Sequence, residues 1–351
     1  MESTPEPQLL EDSAVGQWVP DILPGCSRRT LPLGRDEEGP VSATLVRLDD
    51  VPSPRQRPAA SKPPAPVLHI HGWTDYFFNL PMARGFAASG RPFYALDLRK
   101  YGRSLREHQT PGYIDDLRTY QEELDAAVEI IAEAHPETSA PIVHAHSTGG
   151  LTAALWAADR PDRLSALILN APWLELPGDV AARTAVDGLL APLNRLDPKR
   201  ALHVPPVSTY WMSLSEDSHG SWRIHPLWRP PESFPMRPGW LRAVLAGHSA
   251  VYRGLDISVP LLVLLSEKTV YRRNWVEEMQ HSDSVLDVDL LARRAVKLGP
   301  TVTVERLTGA MHDIFASAEP IRREAFHRIT RWLHAYGPEA QTDRSEGHCD
   351  T

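Results

Sequence analysis

The stretch Ile142-Val143-His144-Ala145-His146-Ser147-Thr148-Gly149-Gly150-Leu151 decides the reading of this chain. An apolar run leads into a serine flanked by small residues, and Leu151–Ala158 continues as a helical pattern. A nucleophile elbow has this layout. The serine occupies a sharp, strained turn at the carboxyl end of a strand, and its neighbours are small because strand and helix approach closely. The usual pattern is G-x-S-x-G; Ala145 stands at the first glycine position and keeps the small-residue requirement. A short motif of this kind also arises as an ordinary tight turn, so the rest of the chain must supply partners for the serine.

Outward from that turn, Val67–His71, Phe93–Asp97, Ala166–Asn170 and Leu261–Leu265 are apolar runs with the length of buried strands. Thr301–Leu307 reads as one more, nearer an edge because Glu305 and Arg306 interrupt it. Helical spacing lies between them, clearest at Ile114, Leu117, Tyr120, Leu124, Val128 and Ile131. Strands alternating with helices predict βαβ units and a mainly parallel sheet covered on both faces. Ser27–Leu33 and Val41–Leu48 alternate more openly and predict an antiparallel edge before the parallel run.

Two loops at predicted strand ends carry further chemistry. His71-Gly72-Trp73-Thr74-Asp75 follows one strand. A glycine there lets the loop fold back, so that the N–H of Trp73 joins the N–H of Thr148 as a pair of donors for a developing oxyanion. Gly309-Ala310-Met311-His312-Asp313 follows the last strand, and His312 is the candidate general base. The orienting acid should fall between Leu265 and His312, in the order Ser…acid…His. Asp283 is the leading candidate, with Asp287 and Glu267 as alternatives; N-capping of the following helix is the competing use of Asp283. The pairs His69/His71 and His144/His146 each share one strand face, which raises a metal site as a competing reading. His71 and His146 are already accounted for by the oxyanion loop and the elbow, so His69 and His144 are expected to be core histidines, and no metal is expected.

Composition bounds the rest. Of 351 residues, 42% are hydrophobic and 23% charged, a globular balance that excludes wholesale disorder. The net charge of −8 argues against nucleic acid or an anionic membrane as the main partner. Cys26 and Cys349 lie near opposite termini and read as free thiols of a reducing compartment. Met1–Pro24 lacks a basic start and an apolar core, no apolar run approaches a membrane span, and a cytoplasmic protein is expected. Neither G-x-x-x-x-G-K-[ST] nor G-x-G-x-x-G occurs, and no cofactor is expected.

The 33 prolines cluster, six in Pro52–Pro66 and seven in Pro205–Pro238. Trp173–Asp256 shows no clear strand–helix alternation yet holds five of the ten tryptophans. A structureless loop of that length is improbable in a compact domain, so an inserted cap is expected. Trp173, Tyr210, Trp211, Trp222, Trp228 and Trp240 are the candidates for substrate contact, beside Phe234. A small cap also needs aromatics for its own core, which is the competing use of each. The organisation expected is a flexible lead (1–25), core (26–172), cap (173–256), core (257–336) and flexible tail (337–351).

His71-Gly72-Trp73, Asp97…Gly102-Arg103-Ser104, Ala145-His146-Ser147-Thr148-Gly149-Gly150 and Gly309…His312-Asp313 together resemble the α/β-hydrolase superfamily over about residues 40–336. Within it the likeness is to the serine aminopeptidase S33, lysophospholipase and monoacylglycerol-lipase-like group. The resemblance implies an α/β-hydrolase fold: a mostly parallel, eight-stranded sheet with helices on both faces and an inserted cap. The group's acid motif is matched by Asp283-Ser284-Val285-Leu286-Asp287, after an apparent insertion at Lys268–Ser282. That match favours Asp283. The activity implied is a Ser147–His312–Asp283 serine hydrolase of carboxylic esters, acting on a small molecule with an apolar group. Aminopeptidase, thioesterase or acyltransferase chemistry would use the same triad, and an aminopeptidase would need an acid such as Glu175, Glu216 or Asp217 to hold an ammonium. A non-catalytic binding protein on the same scaffold is the reading from a different class. No nucleic acid and no membrane insertion are expected, and the oligomeric state is left open.

Overall fold

The computed structural model describes residues 9–10, 15–49, 63–177, 179–203 and 208–338, without the side chains of 179–182. The parallel strands are β4 (Val67–Ile70), β5 (Phe93–Asp97), β6 (Ile142–His146), β7 (Ala166–Asn170), β8 (Leu261–Ser266) and β9 (Val302–Leu307). They are preceded by β1 (Val19–Pro20), β2 (Cys26–Asp36) and β3 (Gly39–Leu48), which pair antiparallel. The sheet order is β1-β2-β3-β5-β4-β6-β7-β8-β9. Among the described residues nine strands are present where eight were expected. The extra one, β1, has only two residues and its register on β2 is held by two pairs, too short to show as an alternation in sequence. Val19–Pro20 and the buried Asp21 also draw residues 15–25 out of the expected flexible lead. Asp21 binds the fully buried Arg103 through both carboxylate oxygens, at 2.7 Å each.

Strand alternation sorts the core into two layers. Leu68, Ile70, Val143, Ala145, Leu167, Leu169, Val263 and Leu265 face one side, against α2 (Gln121–Ala134) and α3 (Ser147–Asp159). Val67, Ile142, Ala166, Ile168, Leu262 and Leu264 face the other, against α1 (Leu80–Ala87) and α8 (Glu319–Tyr336). Successive residues of a strand point to opposite faces, so continuous apolar runs are what a doubly covered parallel sheet requires. β9 forms the free edge, and its residues are mostly half-buried, in line with its polar interruptions.

Between β7 and β8 the chain builds α4 (Asp179–Leu196), α5 (Thr209–Leu214) and α6 (Pro238–Arg253). The expected cap, 173–256, includes α6, yet α6 packs into the larger core layer through Trp240, Val244 and Val251. Gly247 lies so close to α3 that a Cβ there would sit 3.0 Å from Leu151. α7 (Val288–Ala295) follows the detour after β8. Connections leave β4 toward β5 in one direction and reach β6 in the other, which opens a crevice at the carboxyl ends of β4 and β6. No helix among the described residues is long and apolar enough to cross a membrane. Cys26 is buried, its thiol raised to about 11 chiefly by that burial, whereas Cys349 and most of Pro52–Pro66 lie outside the described residues.

Candidate active site

Ser147 opens α3 at the end of β6, with φ +52°. A non-glycine residue in the left-handed region costs about 1–3 kcal/mol and persists only where packing enforces it. The enforcement comes from small neighbours. A Cβ on Gly149 would lie 2.1 Å from the His71 carbonyl oxygen, and one on Gly150 2.8 Å from Pro172. Ala145 is fully buried in β6 and fills the position of the missing glycine. The N–H of Trp173 donates to the Ser147 carbonyl at 3.0 Å and closes the turn from its far side.

His312 stands against Ser147. Its Nδ1–H donates to Asp283 Oδ2 at 2.8 Å, and its Nε2 accepts from Ser147 Oγ at 3.1 Å. Asp283 is fully buried, and its Oδ1 accepts from the N–H groups of Val285 and Leu286, both at 2.8 Å. The two alternatives lie elsewhere. Asp287 caps α7 by accepting from Asp289 and Leu290, and Glu267 is exposed beyond β8. Asn170, at the end of β7, fixes the histidine loop: its Nδ2–H donates to Asp313 Oδ1 at 2.7 Å and its Oδ1 accepts from Ile314 at 3.2 Å.

The loop after β4 folds back over the serine. A Cβ on Gly72 would lie 3.1 Å from that of Ser147, so glycine permits the approach. Neither Trp73 nor Thr148 has a backbone N–H acceptor among the described residues. Thr148 belongs to the first turn of α3, whose N–H groups lack intrahelical partners and favour developing negative charge. Asp97 carries the loop behind this one: its Oδ1 accepts from Phe77, and its Oδ2 accepts from the N–H and guanidinium of Arg103. Gly102, at φ +47°, would place a Cβ 2.4 Å from Asp97 Oδ2. The Asp97…Gly102…Ser104 segment is therefore a brace beneath the loop that follows β4.

The histidines of β4 and β6, with His71, are engaged in packing and bracing. His71 accepts from Leu98 N–H and donates to the Gly72 carbonyl. The Nδ1–H of His146 donates to the Asn170 carbonyl, and burial holds this imidazole below its ordinary 6.5. His69 and His144 stack and share one hydrogen bond between their Nδ1 atoms at 2.8 Å. Among the described residues no group of three or more His, Cys, Asp or Glu could hold a metal.

A cavity of about 370 Å³ opens above Ser147 and His312. Its walls come from the loop after β4, from Tyr210 and Trp211 on α5, from Arg229–Pro231, and from Tyr271, Ser284 and Val285. A serine hydrogen-bonded to an oriented imidazole, at the first turn of a helix, can carry out acyl transfer.

The model of the family described as serine aminopeptidase S33 matches residues 61–316. This chain belongs to that family of α/β-hydrolases. A monoacylglycerol lipase of Mycolicibacterium smegmatis is 27% identical over 276 residues, covering 76% of this chain and 87% of that protein. The soluble variant of monoglyceride lipase from Saccharomyces cerevisiae superimposes with a TM-score of 0.60 at 14% identity, over 92% of this chain and 98% of that one. A carboxyl esterase from Bacillus coagulans does so with 0.58 at 15% identity, over 88% and 98%. Both structures share the α/β-hydrolase fold.

Of the aromatic residues expected to contact substrate, this hydrolase brings Tyr210 and Trp211 to the cavity, along with Trp73. Trp173, Trp222, Trp228 and Trp240 do not line it. Trp240 packs on Trp73 with ring centroids 3.7 Å apart, and Trp173 packs on Trp240 and His248. Trp228 is fully buried against Tyr76 and His225, and Trp222 donates to the Ala316 carbonyl. Each supplies bulk where the excursion after β7 meets the core. Arg229, on the cavity wall, and Asn170, behind the histidine loop, are not among the candidate residues of the sequence. Arg229 binds Asp75 at 2.6 Å with both side chains buried, and Asp75 in turn accepts from Gly72 N–H at 3.4 Å. A lone arginine beside Trp228 carries no sequence signal of its partner. Asn170 did leave one, as the single polar residue ending an apolar strand.

Proposed function

We propose that this hydrolase cleaves carboxylic esters through an acyl-serine. The observation that carries the reading is the hydrogen-bonded line from Asp283 through His312 to Ser147, ending in the cavity above the serine. Ser147 Oγ attacks the acyl carbonyl while His312 Nε2 takes its proton, and Asp283 steadies the resulting imidazolium. The N–H groups of Trp73 and Thr148 receive the tetrahedral oxyanion, each donor contributing about 2.7–4 kcal/mol in comparable sites. Collapse releases the alcohol with the proton from Nε2, and water repeats the sequence on the acyl-serine.

The cavity lies in the size range of small-ligand sites, and Trp73, Trp211, Pro230, Pro231 and Val285 suit an apolar group. The Mycolicibacterium relative is named as a monoacylglycerol lipase, which agrees with an ester of one apolar chain. The acids an aminopeptidase would use are occupied or remote. Glu175 is buried between Arg183 and Arg294, while Glu216 and Asp217 are exposed and do not line the cavity. Asp75 does line it, but is paired with Arg229. We take residues 173–237 as the cap, with α6 assigned to the core it packs in. An alkyl fluorophosphonate should label the wild-type protein and leave Ser147→Ala unlabelled, and p-nitrophenyl butyrate should be hydrolysed in preference to aminoacyl anilides. Failure of the folded wild-type protein to react would refute the proposal.

A further inference from the structure

Between β8 and Asp283 the chain takes a detour through residues 267–282. Its base is closed beside the acid: Val270 N–H donates to the Asp283 carbonyl at 2.8 Å, and Asp283 N–H donates to the Lys268 carbonyl at 3.0 Å. Lys268 pairs with Glu278 across the detour, and Met279 is buried beneath it. From this base the segment makes two contacts that holding Asp283 does not require.

The first is with α5. The ring of Trp275 stacks on His219 with centroids 3.6 Å apart and planes at 9°, and its Nε1–H donates to Ser213 Oγ at 3.0 Å. Gln280 donates to the His219 carbonyl. Ser213 lies on the same helix as Tyr210 and Trp211, two residues of the cavity wall, and the Tyr210 ring stands edge-on to His312 at 5.3 Å. The second contact is with the cavity itself. Tyr271 lines it alongside Ser147 and His312, remains 47% exposed, and its hydroxyl has no hydrogen-bond partner among the described residues. An aromatic recruited for core packing would be covered; Tyr271 presents its bulk to the space a substrate enters.

We propose that residues 267–282 form the arm that sets chain-length selection: Tyr271 limits the room in the cavity for long acyl chains, and Trp275 holds α5, which supplies Tyr210 and Trp211 to the wall. The proposal rests on the ester-hydrolase reading. It concerns which esters fit, whereas that reading concerns how they are cleaved.

The test compares Tyr271→Ala, Tyr271→Phe, Tyr271→Trp and Trp275→Ala with wild type. Each is assayed for kcat/KM on p-nitrophenyl dodecanoate over butyrate, and for labelling rate by a long-chain over a short-chain alkyl fluorophosphonate. Tyr271→Ala should raise both long-over-short ratios by about ten-fold or more, because hydrophobic sites discriminate by roughly 10–200-fold per methylene of fit. Tyr271→Phe, which keeps the bulk, should stay within about two-fold of the wild-type ratio, and Tyr271→Trp should lower it. Trp275→Ala should raise the ratio in the same direction as Tyr271→Ala by loosening the α5 wall. Ratios that do not follow side-chain size at position 271 overturn the arm. A wild-type protein that reacts with neither fluorophosphonate overturns the ester-hydrolase reading, and the arm with it. Should Tyr271→Ala fail to fold, the Phe and Trp variants still give the ordering.

Discussion

Replacement of Asp283 by asparagine isolates the electrostatic part of the candidate triad. The carboxylate makes three hydrogen bonds: Oδ1 accepts from Val285 and Leu286, and Oδ2 accepts from His312 Nδ1. Asparagine is isosteric, so its Oδ1 keeps both backbone N–H groups and the side chain stays in place. Its Nδ2, however, is a donor facing Nδ1. The imidazole can satisfy that donor only as the tautomer with the proton on Nε2, and Nε2 then cannot take the proton of Ser147. The same substitution in a serine protease triad lowers kcat about 10⁴-fold, which corresponds to about 5.4 kcal/mol at 1.36 kcal/mol per decade. The assay is kcat on p-nitrophenyl butyrate, with circular dichroism and thermal melting to show that fold and stability are retained. Asp287→Asn and Glu267→Gln serve as comparisons, since Asp287 caps α7 and Glu267 is exposed. Asp283→Asn activity within ten-fold of wild type, or an equal collapse in Asp287→Asn, would refute the reasoning.

Arg229→Ala should destabilise the fold by about 3–5 kcal/mol in urea unfolding, because it strands the buried Asp75 carboxylate. Adding Asp75→Asn should recover part of that loss, and strict additivity would count against a coupled pair. Gly149→Ala should lower the melting temperature and kcat, although alanine is normally the better helix former, because its Cβ would meet the His71 carbonyl oxygen at 2.1 Å. Unchanged kcat in Gly149→Ala would show that the loop after β4 does not need this close approach. His69 and His144 are buried, and burial lowers both, His144 from 6.5 to about 3. They are neutral in the fold and take up protons on unfolding below about pH 6.5, so the unfolded state binds more protons and stability should fall as pH drops from 6.5 toward 3. His69→Leu/His144→Leu should flatten that dependence, read as urea midpoints at pH 7.5 and pH 5; an unchanged slope would exclude the pair as a source.

Much of the scaffold was legible because its signals are local. A strand buried on both faces must be apolar at every position, so Ile142–His146 and Leu261–Leu265 announce themselves. An elbow must be small on either side of its serine, so Ser147 does too. The glycine in His71-Gly72-Trp73 and the polar end of Ala166–Asn170 also left marks in the chain. β1 leaves no mark because two residues are too few for a period, and α6 does not stand apart from the rest of Trp173–Asp256 because no clear strand–helix alternation runs through that stretch.

The sequence by itself determined the alternation of the parallel strands with the helices outside the excursion after β7, the serine and histidine at strand ends, and the identity of the loop that folds back over them. Those features follow from side-chain periodicity and from the sterics of a few neighbouring residues. Tertiary structure alone decided which of Asp283, Asp287 and Glu267 meets His312, which aromatics face the cavity, and that Arg229 answers Asp75. It likewise carried Tyr271 and Trp275 from a long detour to the cavity and to α5. Such contacts join positions far apart in the chain, and their energies depend on distances and burial set only when the layers close on one another. An aspartate that caps a helix and one that orients a histidine are the same residue in sequence, and only the fold gives each its partner.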